Sequence, residues 1–311
     1  MAEDAKEAET AEEIAALTAD DFFALAFRIF GNQRWEKRKR ETNENDFKDA
    51  FGVIPETCVK IWEALRTHQN PAFRLQSKRN DKPVGLLFIL RFLWRYPTAL
   101  DLGRFFKVKS ENTVKKYIDI WLPRIHSLLK PKLGSFADHQ DGLIFVFTVD
   151  GTHCRIEEPR PFSTDWSSHK FGGKAAVNYE LAICIHKPQL AWVYGPTKPG
   201  KYNDVSVFRL KLKEKMEAEL PGCRIIGDKG YKGEPDLISL RNEFDPEEIA
   251  EFKDRASARH ESFNQKLKCF KILSVPFRHG VANHKMAFEA VCVVVMFQIE
   301  CGGASLFDAY L

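Results

Sequence analysis

Residues 143–152 read LIFVFTVDGT, and seven of the eight residues from Leu143 to Asp150 are apolar or β-branched. That composition predicts a strand covered on both faces, delivering one carboxylate, Asp150, to its carboxyl end. An acid closing a buried run is seldom there for packing. The plainer alternative is a turn that Asp150 begins with Gly151, so the choice falls to the rest of the chain.

Upstream of this stretch, charge is the clearest signal. The chain of 311 residues has a formal net charge of +4, but the charge is unevenly spread. Lys60–Leu133 holds 16 Lys and Arg against 5 Asp and Glu, whereas Met1–Asp21 holds 1 against 8. A concentrated basic segment favours a polyanionic partner, most commonly nucleic acid. Arg34–Arg40, RWEKRKR, is a second basic cluster. It reads as a nuclear-import signal, a phosphate contact or plain solvated surface.

The length allows two domains, or one large domain with a smaller one attached. The 7 cysteines include no C-x-x-C pair and make an odd total, so neither a zinc cage nor a complete disulfide framework is indicated. A reducing compartment is expected. The acidic N-terminus has no signal-peptide core, and the longest apolar runs, Gly85–Leu90 and Ala290–Phe297, are far shorter than the roughly 20 residues that span a bilayer. The expectation is a soluble protein with no membrane partner, nuclear or cytoplasmic.

Three segments follow from the pattern. Residues 1–44 are an acidic then basic tail with little to bury. Residues 45–133 read as helical: Phe47, Phe51, Ile54, Cys58, Ile61, Trp62 and Leu65 mark one apolar face, and PVGLLFILRFLWRY is too apolar for a surface helix. Thr98 caps a short helix, and Val108–Ser110 links it to a longer one that Ser110 caps. Short helix, tight turn and longer helix is the layout of a helix-turn-helix, with Lys109, Asn112, Thr113, Lys115 and Lys116 at the start of the second helix suited to phosphates and base edges. A plain bundle with a solvated charged face is the competing reading.

Residues 134–311 alternate strand and helix. After the opening strand, VNYELAICIHK and LAWVYG predict an antiparallel meander. Asp204–Leu220 reads as one helix, CRIIG as a strand ending at Asp228, and DPEEIAEF as a helix start with Asp245 as N-cap and Pro246 in the first position. On that helix Glu261 lies about 200° from Phe263, off the buried stripe. VANHKMAFEAVCVVVMFQIE reads as a covered helix, with a strand as the alternative.

Asp150 and Asp228 thus end two strands, and Glu261 projects from a late helix. Charges about 4 Å apart repel by about 4 kcal/mol at an effective dielectric of 20, so such a cluster implies a cation. An all-oxygen set suits Mg²⁺ or Mn²⁺. Two such ions about 3.5–4 Å apart serve phosphodiester cleavage.

VDGTH at 149–153, NDVSVF at 203–208, GDKGY at 227–231 and RASARHESFNQKLKCFKIL at 255–273 resemble the successive motifs of DDE-type endonucleases of the PIF/Harbinger transposase superfamily. The resemblance implies an α/β fold with a ribonuclease-H-like mixed sheet flanked by helices and preceded by an all-α helix-turn-helix region. It implies Asp150, Asp228 and Glu261 as catalytic acids, two divalent ions, and DNA as substrate at transposon ends and target sites. Asp204 falls in the family's other Asp motif, as a further metal ligand or as a cap for the following helix. Arg255 and Arg259 are placed to steady a DNA backbone. The family also suggests a Myb-like partner protein and a homo-oligomer. A domesticated relative that binds DNA without transposing, or a nuclease that does not join strands, is the alternative.

Overall fold

The computed structural model describes residues 14–31, 35–76, 81–136 and 144–302. They fall into two compact units, Met1–Phe92 with Pro97–Leu128, and Leu93–Tyr96 with Leu129–Leu311. Of the tail expected over residues 1–44, residues 1–13 and 32–34 lie outside the described residues; within the remainder, Ala19–Phe30 is a helix that buries Phe22, Phe23, Ala26 and Phe27 where little burial was expected.

In the first unit α1 (Ala19–Phe30) opens on a capping box, Thr18 and Asp21 each taking the other's backbone N–H, and it stops at Gly31 with φ 70. Its buried Phe23 packs on α2 (Arg40–Phe51), with the Phe23 and Phe47 rings 5.7 Å apart, while Phe22 lies edge-on to Trp62 at 6.5 Å. Residues 45–65 form two helices, not one. Gly52 at φ 78 ends α2, and Pro55 takes the first position of α3 (Pro55–Arg66), where its missing N–H costs nothing. The aromatic stripe continues through the break because both helices bury the same side. In α4 (Pro83–Arg95) a Cβ on Gly85 would lie 2.1 Å from Trp121 Nε1 of α6 (Glu111–Ser127), so only glycine lets these helices approach.

Thr98 caps α5 (Ala99–Phe105) by accepting from the Asp101 N–H, as predicted. The link to α6 is Phe106–Ser110, longer than expected, and Val108 folds back to donate to the Gly103 carbonyl at 2.8 Å. Ser110 stands at the N-cap, but its side chain makes no capping bond.

The second unit starts with α7 (Leu129–Leu133) and is built on a five-stranded mixed sheet of order β3-β2-β1-β4-β5. β1 (Phe145–Arg155), β2 (Ala176–Cys184) and β3 (Leu190–Thr197) form the expected antiparallel meander. β4 (Arg224–Gly227) and β5 (Ile238–Leu240) run parallel to β1. β5 has three residues, too few for a period to show in sequence.

On one face Phe147, Val149 and Ile225 pack with Phe208 of α8 (Asp204–Leu210) and with Leu212 and Met216 of α9 (Leu212–Glu219). The single helix expected here breaks at Lys211, whose φ of −149 leaves the helical region. On the other face Ala256 and Phe252 of α10 (Glu247–Cys269) meet Ile185, Ile226 and Phe145. Asp245 is not the N-cap of α10. Its carboxylate takes the Asn242 N–H at 2.9 Å and the Lys253 ammonium at 2.8 Å, and Pro246 stands at the cap instead.

After α11 (Lys271–Ser274), α12 (Val281–Glu300) is a helix buried at every residue from Ala287 to Ile299. Burial all round explains its lack of a polar face. Among the described residues no helix is long and apolar enough to cross a membrane.

Candidate active site

Asp150 does not end its strand. β1 runs on to Arg155 because β2 stays paired with it from Phe147 to Arg155, whereas β4 pairs only between Phe145 and Thr148. Asp150 therefore stands just beyond the point where β4 has given way to a turn. The polar tail GTHCR hides this continuation in the sequence.

Three side chains from three elements gather there. The Asp150 carboxylate accepts from the Gly151 N–H at 2.7 Å and from Asn264 Nδ2 of α10 at 2.9 Å. Asp228 follows β4, and its Oδ1 accepts from the Gly230 N–H at 2.8 Å. Asp204, for which two roles were open, is not the cap of α8: the Asn203 side chain does that, accepting from the Ser206 N–H at 3.0 Å.

Asp204 instead lies between two glycines. A Cβ on Gly151 would meet its Oδ1 at 2.5 Å, and one on Gly230 would meet its Oδ2 at 2.7 Å and Asp228 Oδ1 at 3.0 Å. The glycines of VDGTH and GDKGY are thus spaces into which this carboxylate fits.

α10 faces β1 through residues four apart, which share one side of a helix. His260 bonds Thr148 Oγ1 at 2.9 Å, Asn264 bonds Asp150, and Lys268 donates to the His153 carbonyl and, at 3.2 Å, to Cys154 Sγ. Glu261 is on the neighbouring flank, exposed, and no hydrogen bond or ion pair joins it to the three aspartates. In sequence Asn264 by itself carries no mark of this role, since an asparagine among charged residues reads as solvated. Its spacing of four from both His260 and Lys268 was the available signal.

The electrostatics are those of crowded acids. Burial pushes the Asp150 carboxyl up to about 6, with Lys170 and the Gly151 N–H opposing and the charges of Asp228 and Asp204 adding to the rise. Asp204 is raised for the same reasons: burial first, relieved by Lys170, with Asp228 pushing further. Glu180 of β2, 1 % exposed and opposite Gly151, is raised by burial to about 8 despite a bond from Trp192 Nε1 at 3.2 Å. His153 is buried, bonded to Ser168 Oγ at 2.7 Å, and pushed down to about 3 by burial and by Lys170, His169 and Lys268.

Of the residues expected on DNA, Lys109, Asn112, Thr113, Lys115 and Lys116 are all exposed around the start of α6, and Arg255 is exposed on α10. Arg259 is partly spent within the fold, donating to the Ile185 carbonyl at 2.7 Å. In the Arg34–Arg40 cluster Arg38 pairs with Asp46 at 2.6 Å, and Arg40 pairs with Asp20, Glu44 and Glu56.

Residues 149–296 match the family model described as DDE superfamily endonuclease. This segment is a DDE superfamily endonuclease domain. No curated protein and no solved structure matches the chain. The DDE domain contains Asp150, Asp204, Asp228, Glu261 and Asn264, together with most of the sheet that positions them.

Nucleases of the DDE superfamily normally use divalent metal ions, and the donor chemistry fits. The set is three carboxylates with Asn264 Oδ1 and Asn178 Oδ1, both buried without a hydrogen-bond partner, so hard oxygen ligands are in surplus. Among the described residues no three His, Cys, Asp or Glu side chains form a ready-made metal cage.

Proposed function

We propose that this chain is a metal-dependent DNA endonuclease and transposase of the PIF/Harbinger type. It cuts phosphodiester bonds at transposon ends and joins the freed 3′-hydroxyl to target DNA. The observation that carries the reading is the meeting of Asp150, Asp204 and Asp228 about Gly151 and Gly230, inside a DDE endonuclease domain.

Asp150, Asp204 and Asp228 would hold two Mg²⁺ or Mn²⁺ ions, with Glu261 of α10 as the last acid. When bound, the ions supply activation of the attacking oxygen and charge stabilisation for the leaving one. The chain's own residues prepare the place. Asn264 fixes the orientation of the Asp150 carboxylate, and the two glycines leave Asp204 room between its partners. Partial burial of Asp150 and Asp204 lowers the dielectric around them, which strengthens their charges, while Asp228 stands exposed.

In hydrolysis the oxygen of water bonds to phosphorus, the bond from phosphorus to the 3′ oxygen breaks, and that oxygen takes up a proton. In joining, the 3′-hydroxyl replaces water as nucleophile and a target 3′ oxygen leaves.

The helical unit supplies affinity in this reading. α5, the turn and α6 act as a helix-turn-helix, with Lys109, Asn112, Thr113, Lys115 and Lys116 on DNA, while Arg255 and Arg259 steady the backbone near the cut. Pairing two ends calls for an oligomer, and a Myb-like protein would share end recognition in the nucleus.

The exposed, untied Glu261 favours one second reading, a retired relative that binds DNA without cutting it. Incubating purified protein with terminal-repeat DNA in Mg²⁺ or EDTA separates the two. Mg²⁺-dependent nicking that vanishes in Asp150→Asn supports the transposase. DNA binding with no nicking under any metal condition supports the retired relative, and metal-independent cutting contradicts both.

A further inference from the structure

We propose that Lys170 is the residue that contacts the phosphate being cut, and that its ammonium serves as the counter-charge of the acidic cluster until metal ions enter. This assignment rests on the nuclease reading above and adds to it a substrate contact on a turn to which neither the motifs nor the family match gives a role.

Gly151 is the hub. Its N–H binds the Asp150 carboxylate, its Cα faces Asp204 Oδ1, and its carbonyl accepts from Lys170 Nζ at 3.0 Å. The ammonium therefore sits on the residue that the Asp150 and Asp204 carboxylates both approach. Its charge opposes the rise of both Asp150 and Asp204. It forms no ion pair with a described carboxylate, unlike Lys198 on Asp165 or Lys253 on Asp245, and the residue itself is exposed.

The turn that presents Lys170 is anchored from beneath. Ser168 is 0 % exposed and bonded to His153 Nδ1 at 2.7 Å, and its backbone is tied to Lys174 and Gly173 at 3.1 and 2.9 Å. Gly172 and Gly173, at φ 62 and 83, reverse the chain directly after His169–Phe171. A fixed base with a long exposed stem places the ammonium reproducibly while leaving it free to swing by rotamer.

One ammonium acting on the Asp150 and Asp204 carboxylates is a favourable arrangement only while they lack stronger cations. Divalent ions at the same carboxylates repel it, and the nearest anion left to it is the phosphate under attack. As the bond to the 3′ oxygen breaks, charge builds on the non-bridging oxygens, where a positioned donor is worth most.

The test uses the full chain with two variants, Lys170→Gln and Lys170→Arg. Mn²⁺ alone is titrated without DNA, with free Mn²⁺ counted by electron paramagnetic resonance, and nicking is timed at saturating DNA and Mn²⁺. Lys170→Gln is expected to bind Mn²⁺ about three- to ten-fold more tightly, having lost a competing charge. It should also nick about 100-fold more slowly, and Lys170→Arg should recover most of that rate.

Opposite movement of affinity and rate is the signature, because a merely structural lysine would weaken both. Nicking by Lys170→Gln within threefold of wild type, or Mn²⁺ affinity unchanged or lowered, overturns the assignment. Wild-type protein that takes up no Mn²⁺ overturns the nuclease reading and this assignment with it, a failure visible before any variant is made.

Discussion

Replacing Gly151 by alanine adds one methyl group where the structure has least room for it. The new Cβ would lie 2.5 Å from Asp204 Oδ1 and 3.3 Å from Asn178 Oδ1, whereas ordinary contact begins at 3.4 Å. The Asp204 carboxylate must therefore retreat by about 0.9 Å, the difference between 3.4 and 2.5 Å. It is the end of a side chain, so it yields at modest cost, about 1–3 kcal/mol for overpacking of this kind. Gly151 has no left-handed backbone to lose, since it is not among the positive-φ residues.

The same retreat is severe for chemistry, where a misplacement of about 1 Å costs on the order of 100-fold in rate. Gly151→Ala should thus nick DNA about 100-fold more slowly while its unfolding midpoint falls by only a few degrees. Timed nicking of end-labelled DNA, beside a thermal melt in EDTA, reads both. Nicking within twofold of wild type would show that the place of Asp204 does not matter to the reaction. Gross unfolding would show that the glycine serves packing instead.

Other consequences are as direct. Asn264→Ala removes the amide that holds Asp150; a bond to a charged group is worth about 1.5–3 kcal/mol, so the rate should fall at least tenfold and the melting midpoint by a few degrees. Glu261→Gln should abolish metal-dependent nicking, and full activity in that variant would remove Glu261 from the set. Lys253→Met removes the buried ammonium that holds the Asp245 carboxylate and the Leu240 carbonyl, and a denaturant titration should show a lower unfolding midpoint than wild type.

Glu180 gives a pH dependence. Its carboxyl is held near 8 in the folded chain against an ordinary 4.5, so the folded state keeps a proton that the unfolded state releases. Stability in EDTA is then full below about 4.5 and declines as pH rises towards 8. Asp150 adds a smaller decline between 3.8 and about 6. Urea midpoints from pH 5 to 8 should show this slope in wild type and a shallower one in Glu180→Gln. Equal slopes would refute the assignment to Glu180.

The parts of the fold visible in sequence were those with long apolar runs. LIFVFTV is covered on both faces, and a run of that kind has few other uses; VNYELAIC and LAWVYG paired as expected for the same reason. Some differences lie where two polar groups compete for one job. Asn203 and Asp204 are both good helix caps, and the structure shows that Asn203 takes the cap. Asp245 carries the residue type of a cap, but a lysine eight residues later claims its carboxylate. Pro55 was read through because the hydrophobic stripe continues across the break.

At the site, Asp150 and Asp228 were legible because each is an acid at the end of an apolar run. Asn264 and Lys170 were not, since each is a polar residue in a polar neighbourhood. Their significance comes from residues more than a hundred and about twenty positions away, respectively.

The central claim is that Asp150, Asp204 and Asp228 share bound divalent ions. Crystals of the full chain grown with Mn²⁺ and measured at the manganese absorption edge test it most directly. Anomalous density between these three side chains, absent from crystals of Asp150→Asn grown the same way, is the predicted result. Manganese bound elsewhere, or none at these aspartates in well-ordered wild-type crystals, would contradict it.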